Sequence, residues 1–149
     1  MAVEDIYHFL QLSETIGTGG QPTVEQFADI QAAGYQVIIN LAIPTAKQAL
    51  PNEASIVAQL GLKYVAIPVV WEQPLLTDVQ KFFAAMQANQ GRKIFVHCLA
   101  NMRVSAFMYL YRIVCEGSNP EQAQADLQRI WLPNDTWQHF IDRVLNQYQ

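Results

Sequence analysis

Cys98 and Arg103 stand five positions apart in the run Lys93-Ile94-Phe95-Val96-His97-Cys98-Leu99-Ala100-Asn101-Met102-Arg103-Val104-Ser105. A thiol attacks as its thiolate, and a guanidinium offers a planar fork of donors that holds two oxygens of a tetrahedral oxyanion. The pair therefore points to sulfur attack on an anionic centre gripped by the arginine. Ile94, Phe95 and Val96 form a short β-rich apolar run, and a helical pattern begins just past Arg103, so the segment reads as a strand, a tight loop and a helix start. At such a junction the loop and first-turn N–H groups lack intrahelical partners, and the macrodipole adds partial positive charge. A thiolate and a bound anion are both stabilised there.

Other side chains have the right chemistry to assist. His97 can donate a ring N–H to loop carbonyls and so orient Cys98. Ser105 can donate to the thiolate as it departs from a covalent intermediate, although a serine in a first helical turn needs no such role. Leu99, Ala100, Asn101, Met102 and Arg103 would supply the anion-binding loop. That loop has no glycine, and the left-handed conformations that help aim successive N–H groups at one point are costly for bulky Leu99 and Met102. Any leaving oxygen needs a proton, and Glu72, in the loop after the Lys63 to Ile67 run, is a carboxyl that could give it. Asp78 is its rival, but it lies next to Thr77, read as a helix cap, where an acid is favoured for structural reasons.

The His97-Cys98 pair followed by Arg103 resembles the signature of the cysteine-dependent protein phosphatases: His-Cys, five residues, then Arg and Ser or Thr. Here four residues separate Cys98 from Arg103, and Val104 precedes Ser105. Gly20-Gln21-Pro22, Ala33-Gly34-Tyr35, Val37-Ile38-Ile39-Asn40-Leu41, Gly61-Leu62-Lys63-Tyr64 and Ile67-Pro68-Val69 follow in order. With them the chain is similar to the small bacterial dual-specificity-like phosphatases, including the phosphatase-like domain of beta-lactamase-hydrolase-like proteins, over roughly residues 15 to 115. The resemblance implies phosphomonoester hydrolysis through a phosphocysteine on Cys98, Arg103 and the loop binding phosphate, Asn40 supporting the loop from the adjacent strand, and Glu72 as the general acid on a mobile loop with Trp71 as the apolar hinge of a closing lid. The implied partner is a phosphorylated protein or small molecule, with no cofactor.

Two other readings stay open from the residues. Rhodanese-like sulfurtransferases also place a cysteine at a strand end with a six-residue loop, and the smaller ring suits a sulfane sulfur. A glycine-free loop that binds phosphate without turning it over is the third.

Composition narrows the classes. A chain of 149 residues, 51% hydrophobic, is read as one domain over residues 1–149 with room for a sizeable core. A net charge of -4 and a pI near 5.2 lack the broad basic surface that nucleic acid or an anionic membrane would require. The N-terminal stretch carries acids, and no apolar run reaches membrane-spanning length, so a cytoplasmic location is expected. Cys115, in an apolar helical run, reads as a buried inert thiol. His8, His97 and His139 are scattered, and no Cys or His pair has metal-ligand spacing.

The elements required to position Cys98 give an α/β fold: a central, mostly parallel sheet of four to five strands flanked by helices. Residues 6–12 and 15–17 read as short edge strands, and Gly17-Thr18-Gly19-Gly20 as a turn. Thr23 caps a helix, with Gln26 completing a capping box and Val24, Phe27 and Ala28 facing inward. Tyr35 to Leu41 and Lys63 to Ile67 are continuous apolar runs, the pattern of strands covered on both faces. Residues 52–60 form a short helix. Val79, Phe82, Phe83 and Met86 recur at helical spacing after Thr77, and a helix from about Val104 to Glu116 is apolar on nearly every side, as a central buried helix should be. Two final helices, carrying Trp131 and Trp137, read as packing elements with no chemistry.

Overall fold

The alternation of apolar runs with amphipathic helices produces a layered α/β/α arrangement, seen in a computed structural model that describes residues 2–149. A five-stranded sheet has the order β1 (Leu10–Gln11), β2 (Ile16–Gly19), β5 (Ile94–His97), β3 (Val37–Asn40), β4 (Lys63–Ala66), with only the β1–β2 pair antiparallel. Side chains alternate across a strand, so the two faces of β3 feed two cores. Val37 and Ile39 pack with Ile94 and Val96 under α3 (Leu76–Ala88), α4 (Met102–Val114) and α6 (Asp135–Gln147). Ile38 and Phe95 face the other way, against Phe27 and Ile30 of α1 (Val24–Ala32) and Val57 of α2 (Glu53–Gln59). α5 (Pro120–Gln128) lies beside α4, tied to it by an Arg112 Nη1 to Asp126 Oδ2 ion pair of 2.6 Å. No helix among the described residues is long and apolar enough to cross a membrane.

Several expectations need correction. β4 is the outer strand, with its residues exposed or half-buried, so its apolar run marks an edge rather than a covered strand. Gly17 and Gly19 belong to β2, not to a turn: a Cβ on Gly17 would collide with the Tyr35 ring and hydroxyl, and one on Gly19 would come within 3.0 Å of Ile6 and Phe95. The glycines let two aromatic rings lie on the strand. Thr23 caps α1 as expected, its Oγ1 accepting from Gln26 N while its own N–H donates to Gln26 Oε1. Phe27 and Ile30 face the core, however, while Val24 is 47% exposed and Ala28 is exposed too. α3 starts two positions earlier than a Thr77 cap implies: Leu75 is the N-cap residue, and its N–H donates to Asp78 Oδ2 at 3.1 Å. Cys115 is half-buried rather than enclosed, and burial followed by the Glu116 charge pushes its thiol up.

Candidate active site

β5 is central, so its carboxyl end opens into the crevice where open α/β sheets bind ligands. His97 sits in that last row, in register with Gly19 of β2 and Asn40 of β3. Cys98 follows, 1% exposed, at the base of a pocket of about 500 Å³. Leu99, Ala100, Met102 and Arg103 line the pocket beside it, and Ile43, Ala46, Val70, Trp71 and Glu72 make the opposite wall.

The loop aims its amides from the outside. A trans peptide points its N–H opposite its C=O. The Cys98 carbonyl accepts from His97 Nδ1 (3.2 Å) and the Leu99 carbonyl from Gln21 N (3.1 Å), so the N–H groups of Leu99 and Ala100 face away from those partners. Neither finds an acceptor among the described residues, nor do the first-turn N–H groups of Met102, Arg103 and Val104; Ser105 N is the first of α4 to do so, on Asn101 O. The conformational difficulty of a glycine-free loop is met at one residue. Asn101 takes φ +64°, a left-handed position that asparagine tolerates better than other side chains. Its side chain turns away from the pocket and locks the bend, Nδ2 donating to His8 O (2.8 Å) and to Thr18 Oγ1 (3.0 Å), while His8 Nδ1 donates to Ala100 O (2.9 Å).

His97 makes the contact read from the sequence, a ring N–H to a loop carbonyl, and a second one that the sequence did not announce. Its Nε2 lies 2.6 Å from Glu53 Oε2, with His97 fully buried and Glu53 4% exposed. A carbonyl only accepts, so Nδ1 carries a proton. Burial alone would raise the Glu53 carboxyl, but the His97 hydrogen bond and charge, with donors from Gln21 and Tyr64, outweigh it and hold the carboxyl below its usual range. The other partners of the carboxylate, Gln21 Nε2 and Asn40 Nδ2, are N–H donors, so a His97 Nε2–H completes a set in which Glu53 only accepts. Asn40 acts on this pair, not on the loop directly: Nδ2 donates to Glu53 Oε2 (3.1 Å) and to the Tyr64 hydroxyl (3.0 Å), and Oδ1 accepts from Ala42 N (2.8 Å). Gln21 Nε2 donates to Glu53 Oε1 at 2.8 Å. Burial pushes the Tyr64 phenol up to about 12, against the lowering effect of Asn40 and with the Glu53 charge adding to it.

Arg103 is 6% exposed, with Nη1 donating to Val69 O at 2.9 Å and its guanidinium carbon 5.9 Å from the centre of the Trp71 ring. Its other guanidinium N–H groups find no acceptor among the described residues and are open to an anion over Cys98. Glu72 is exposed on the pocket wall, whereas the Asp78 carboxylate is occupied as the cap of α3. Trp71 is clamped rather than hinge-like: its ring packs on Trp131 (5.3 Å) and Trp137 (5.6 Å), and its carbonyl accepts from Trp137 Nε1 at 2.9 Å. α6, through Trp137, and the connection between α5 and α6, through Trp131, thus fix the loop that carries Glu72. The Ser105 hydroxyl has partners other than the thiol: it donates to Met102 O (2.8 Å) and accepts from Trp131 Nε1 (3.0 Å). The Val104 insertion has moved it one position around the helix, onto the face that packs on Trp131.

Sequence reasoning passed over Glu53, Trp131, Trp137 and His8. Glu53 is a first-turn acid on a short helix, distant in sequence from everything it touches, and only the burial of that turn distinguishes it from a solvated one.

What the assembly can do is bind a tetrahedral oxyanion against a cysteine sulfur, with a carboxyl group across the pocket. Comparison with known proteins gives the family. A putative phosphatase from Shewanella putrefaciens CN-32 is 38% identical, with 98% of this chain and 96% of that one covered and a TM-score of 0.89. A "Beta-lactamase hydrolase-like protein" of Xylella fastidiosa (strain Temecula1) is 26% identical over 108 residues; these are 70% of this chain, which spans about a quarter (25%) of that relative's length. At 14% identity, the kinase-associated phosphatase shares the fold, with a TM-score of 0.79 over 95% of this chain and 98% of that one. The model of one family, the DSP-PTPase phosphatase fused to NAD+ kinase, matches residues 5–138. That match takes in nearly the whole chain, from the N-terminal segment that braces the loop to the helix that holds Trp71, and the chain belongs to this family of dual-specificity and tyrosine phosphatase-like domains.

Proposed function

We propose that the protein hydrolyses phosphomonoesters in two steps through a phosphocysteine on Cys98. In the first, the Cys98 sulfur forms a bond to phosphorus as the ester P–O bond breaks, and the departing oxygen takes a proton from Glu72. In the second, Glu72 accepts a proton from water, whose oxygen attacks phosphorus and releases inorganic phosphate and the thiolate. The Leu99, Ala100, Met102, Arg103 and Val104 N–H groups and the Arg103 fork hold the equatorial oxygens throughout, where charge is greatest.

The observation that carries this reading is the set of unpartnered loop and helix N–H groups beside Arg103 at the base of the pocket that Glu72 lines. Beyond the phosphate the wall is Ile43, Ala46, Val70 and Trp71, which favours an apolar group next to the ester oxygen of a phosphorylated protein or small molecule. The six-residue ring from Cys98 to Arg103 favours sulfur transfer as the second reading. Turnover of an aryl phosphate by the wild type and by Cys98→Ser, with thiosulfate-to-cyanide sulfur transfer measured on the same preparations, separates the two. Phosphate release lost in the mutant supports the phosphatase; sulfur transfer without phosphate release overturns it.

A further inference from the structure

We infer that Glu53 is a positioning residue for Cys98: its carboxylate holds His97 as a doubly protonated ring whose Nδ1–H fixes the first peptide of the anion loop. The inference rests on Cys98 as the reacting thiol, but not on phosphate as its substrate.

The geometry runs in one line from helix to thiol. Glu53, in the first turn of α2, lies 2.6 Å from His97 Nε2. His97 Nδ1 lies 3.2 Å from the Cys98 carbonyl, on the other side of the ring. Two acceptors on opposite ring nitrogens demand two N–H donors, so the ring is an imidazolium with its charge between the carboxylate and the loop. The carboxylate spends both oxygens on this task. Oε1 accepts from Gln21 Nε2 and Oε2 from His97 and Asn40 Nδ2, an arrangement that fixes its orientation and leaves no role in packing alone.

The consequence for the thiol follows from the order of charges. The ring bonds the Cys98 carbonyl while the carboxylate lies beyond the ring's other nitrogen, so the pair presents its positive end to Cys98, and in a buried site that field is little screened. Other charged or titratable groups face the same centre: Arg103 from α4, Glu72 across the pocket, His8 through Ala100 O, and Tyr64 behind Asn40. None of them touches the His97 ring, and only Glu53 can keep both of its protons in place. Replacing Glu53 by glutamine leaves a neutral partner that matches a neutral ring of either tautomer, so the charge beside Cys98 is lost and the Nδ1 donor is no longer obligatory.

The test uses the full chain in a Cys115→Ser background, so that Cys98 alone reports. Alkylation by iodoacetamide is followed against pH for this protein and for Glu53→Gln and Glu53→Asp. The expected result is a Glu53→Gln profile displaced to higher pH, with alkylation below neutrality slowed about tenfold, and partial return in Glu53→Asp. For an aryl phosphate, kcat falls more than KM rises. A Glu53→Gln protein that unfolds cooperatively and alkylates with the parent profile overturns the inference. Should that variant fail to fold, the ¹⁵N shifts of His97 in the parent decide: two protonated nitrogens at neutral pH support it, and a neutral ring contradicts it. An alkylation shift in a protein that turns over no phosphate ester would sink the proposed hydrolysis and leave the role of Glu53 standing.

Discussion

Gly20→Ala probes how the loop's outer face governs its inner one. A Cβ at this position would sit 2.6 Å from Leu99 O and 3.0 Å from Tyr7 O, both backbone atoms, while ordinary contact begins at 3.4 Å. The Leu99 carbonyl must therefore retreat by about 0.8 Å (3.4 less 2.6). It cannot do so freely, because the neighbouring Gln21 N–H is bonded to that oxygen at 3.1 Å and the Gly20 N–H to Tyr7 O at 2.7 Å. The peptide that turns is the one carrying the Ala100 N–H. Misplacing a catalytic group by roughly 1 Å costs on the order of 10²-fold, so kcat/KM for an aryl phosphate should drop by about 10- to 100-fold. Overpacking of this kind costs about 1–3 kcal/mol, and each kcal/mol shifts Tm by roughly 2–4 °C at this chain length. Gly61→Ala is the control: its φ of +77° makes alanine strained, but nothing lies within 4 Å of the new Cβ. It should lower Tm and leave kcat/KM alone. If Gly20→Ala has the same kcat/KM as Gly61→Ala, the loop's amides are not set by the strand beside it and the argument fails.

Other substitutions and conditions separate chemistry from structure. Glu72→Gln should lower kcat by about 10² or more for an alkyl phosphate and far less for a nitrophenyl ester, whose oxygen needs no proton to leave; Asp78→Asn, which weakens the α3 cap, should instead cost about 1 kcal/mol in denaturant unfolding and spare kcat. Arg103→Lys keeps the charge but loses the fork and the contact on Trp71, so KM should rise and kcat fall together, with product-phosphate affinity reduced in parallel. Stability should respond to acid through Glu53: its folded carboxyl lies below the usual 4.5, so its contribution is whole above that value and is lost as pH falls through the lower folded one. Glu53→Gln should flatten that acid limb in urea titrations at a series of pH values. Tyr64, pushed up to about 12 from 10.0, has the opposite sense: its contribution is whole below pH 10 and declines between the two values as pH rises.

What could be read from the chain depended on how local the signal was. The Cys98–Arg103 loop, the Thr23–Gln26 capping box and the α3 stripe of Val79, Phe82, Phe83 and Met86 are short-range patterns, and each appears where it was expected. Asn101 solves the glycine-free bend through contacts with His8 and Thr18, both more than eighty positions away, which no window of sequence contains. Glu53 is hidden for the same reason: an acid in a first helical turn is ordinarily solvated, and only tertiary burial beside His97 gives it a partner. β2 was misread because Gly17 and Gly19 signal a turn by composition, while here they make room for Tyr35 and Phe95. Trp131 and Trp137 carried a core signal; Trp137 is a core residue and the half-buried Trp131 packs against that core, yet both end under the Glu72 loop.

The most direct test is to quench wild-type turnover of an aryl phosphate in acid within the first cycles and to weigh the peptide that contains Cys98. Two-step hydrolysis predicts that this peptide gains the mass of one phosphoryl group, that the adduct is absent from Cys98→Ser and that it accumulates in Glu72→Gln with a good leaving group. Phosphate release with no phosphoryl group on Cys98 at any time point, or release that survives in Cys98→Ser, would contradict it.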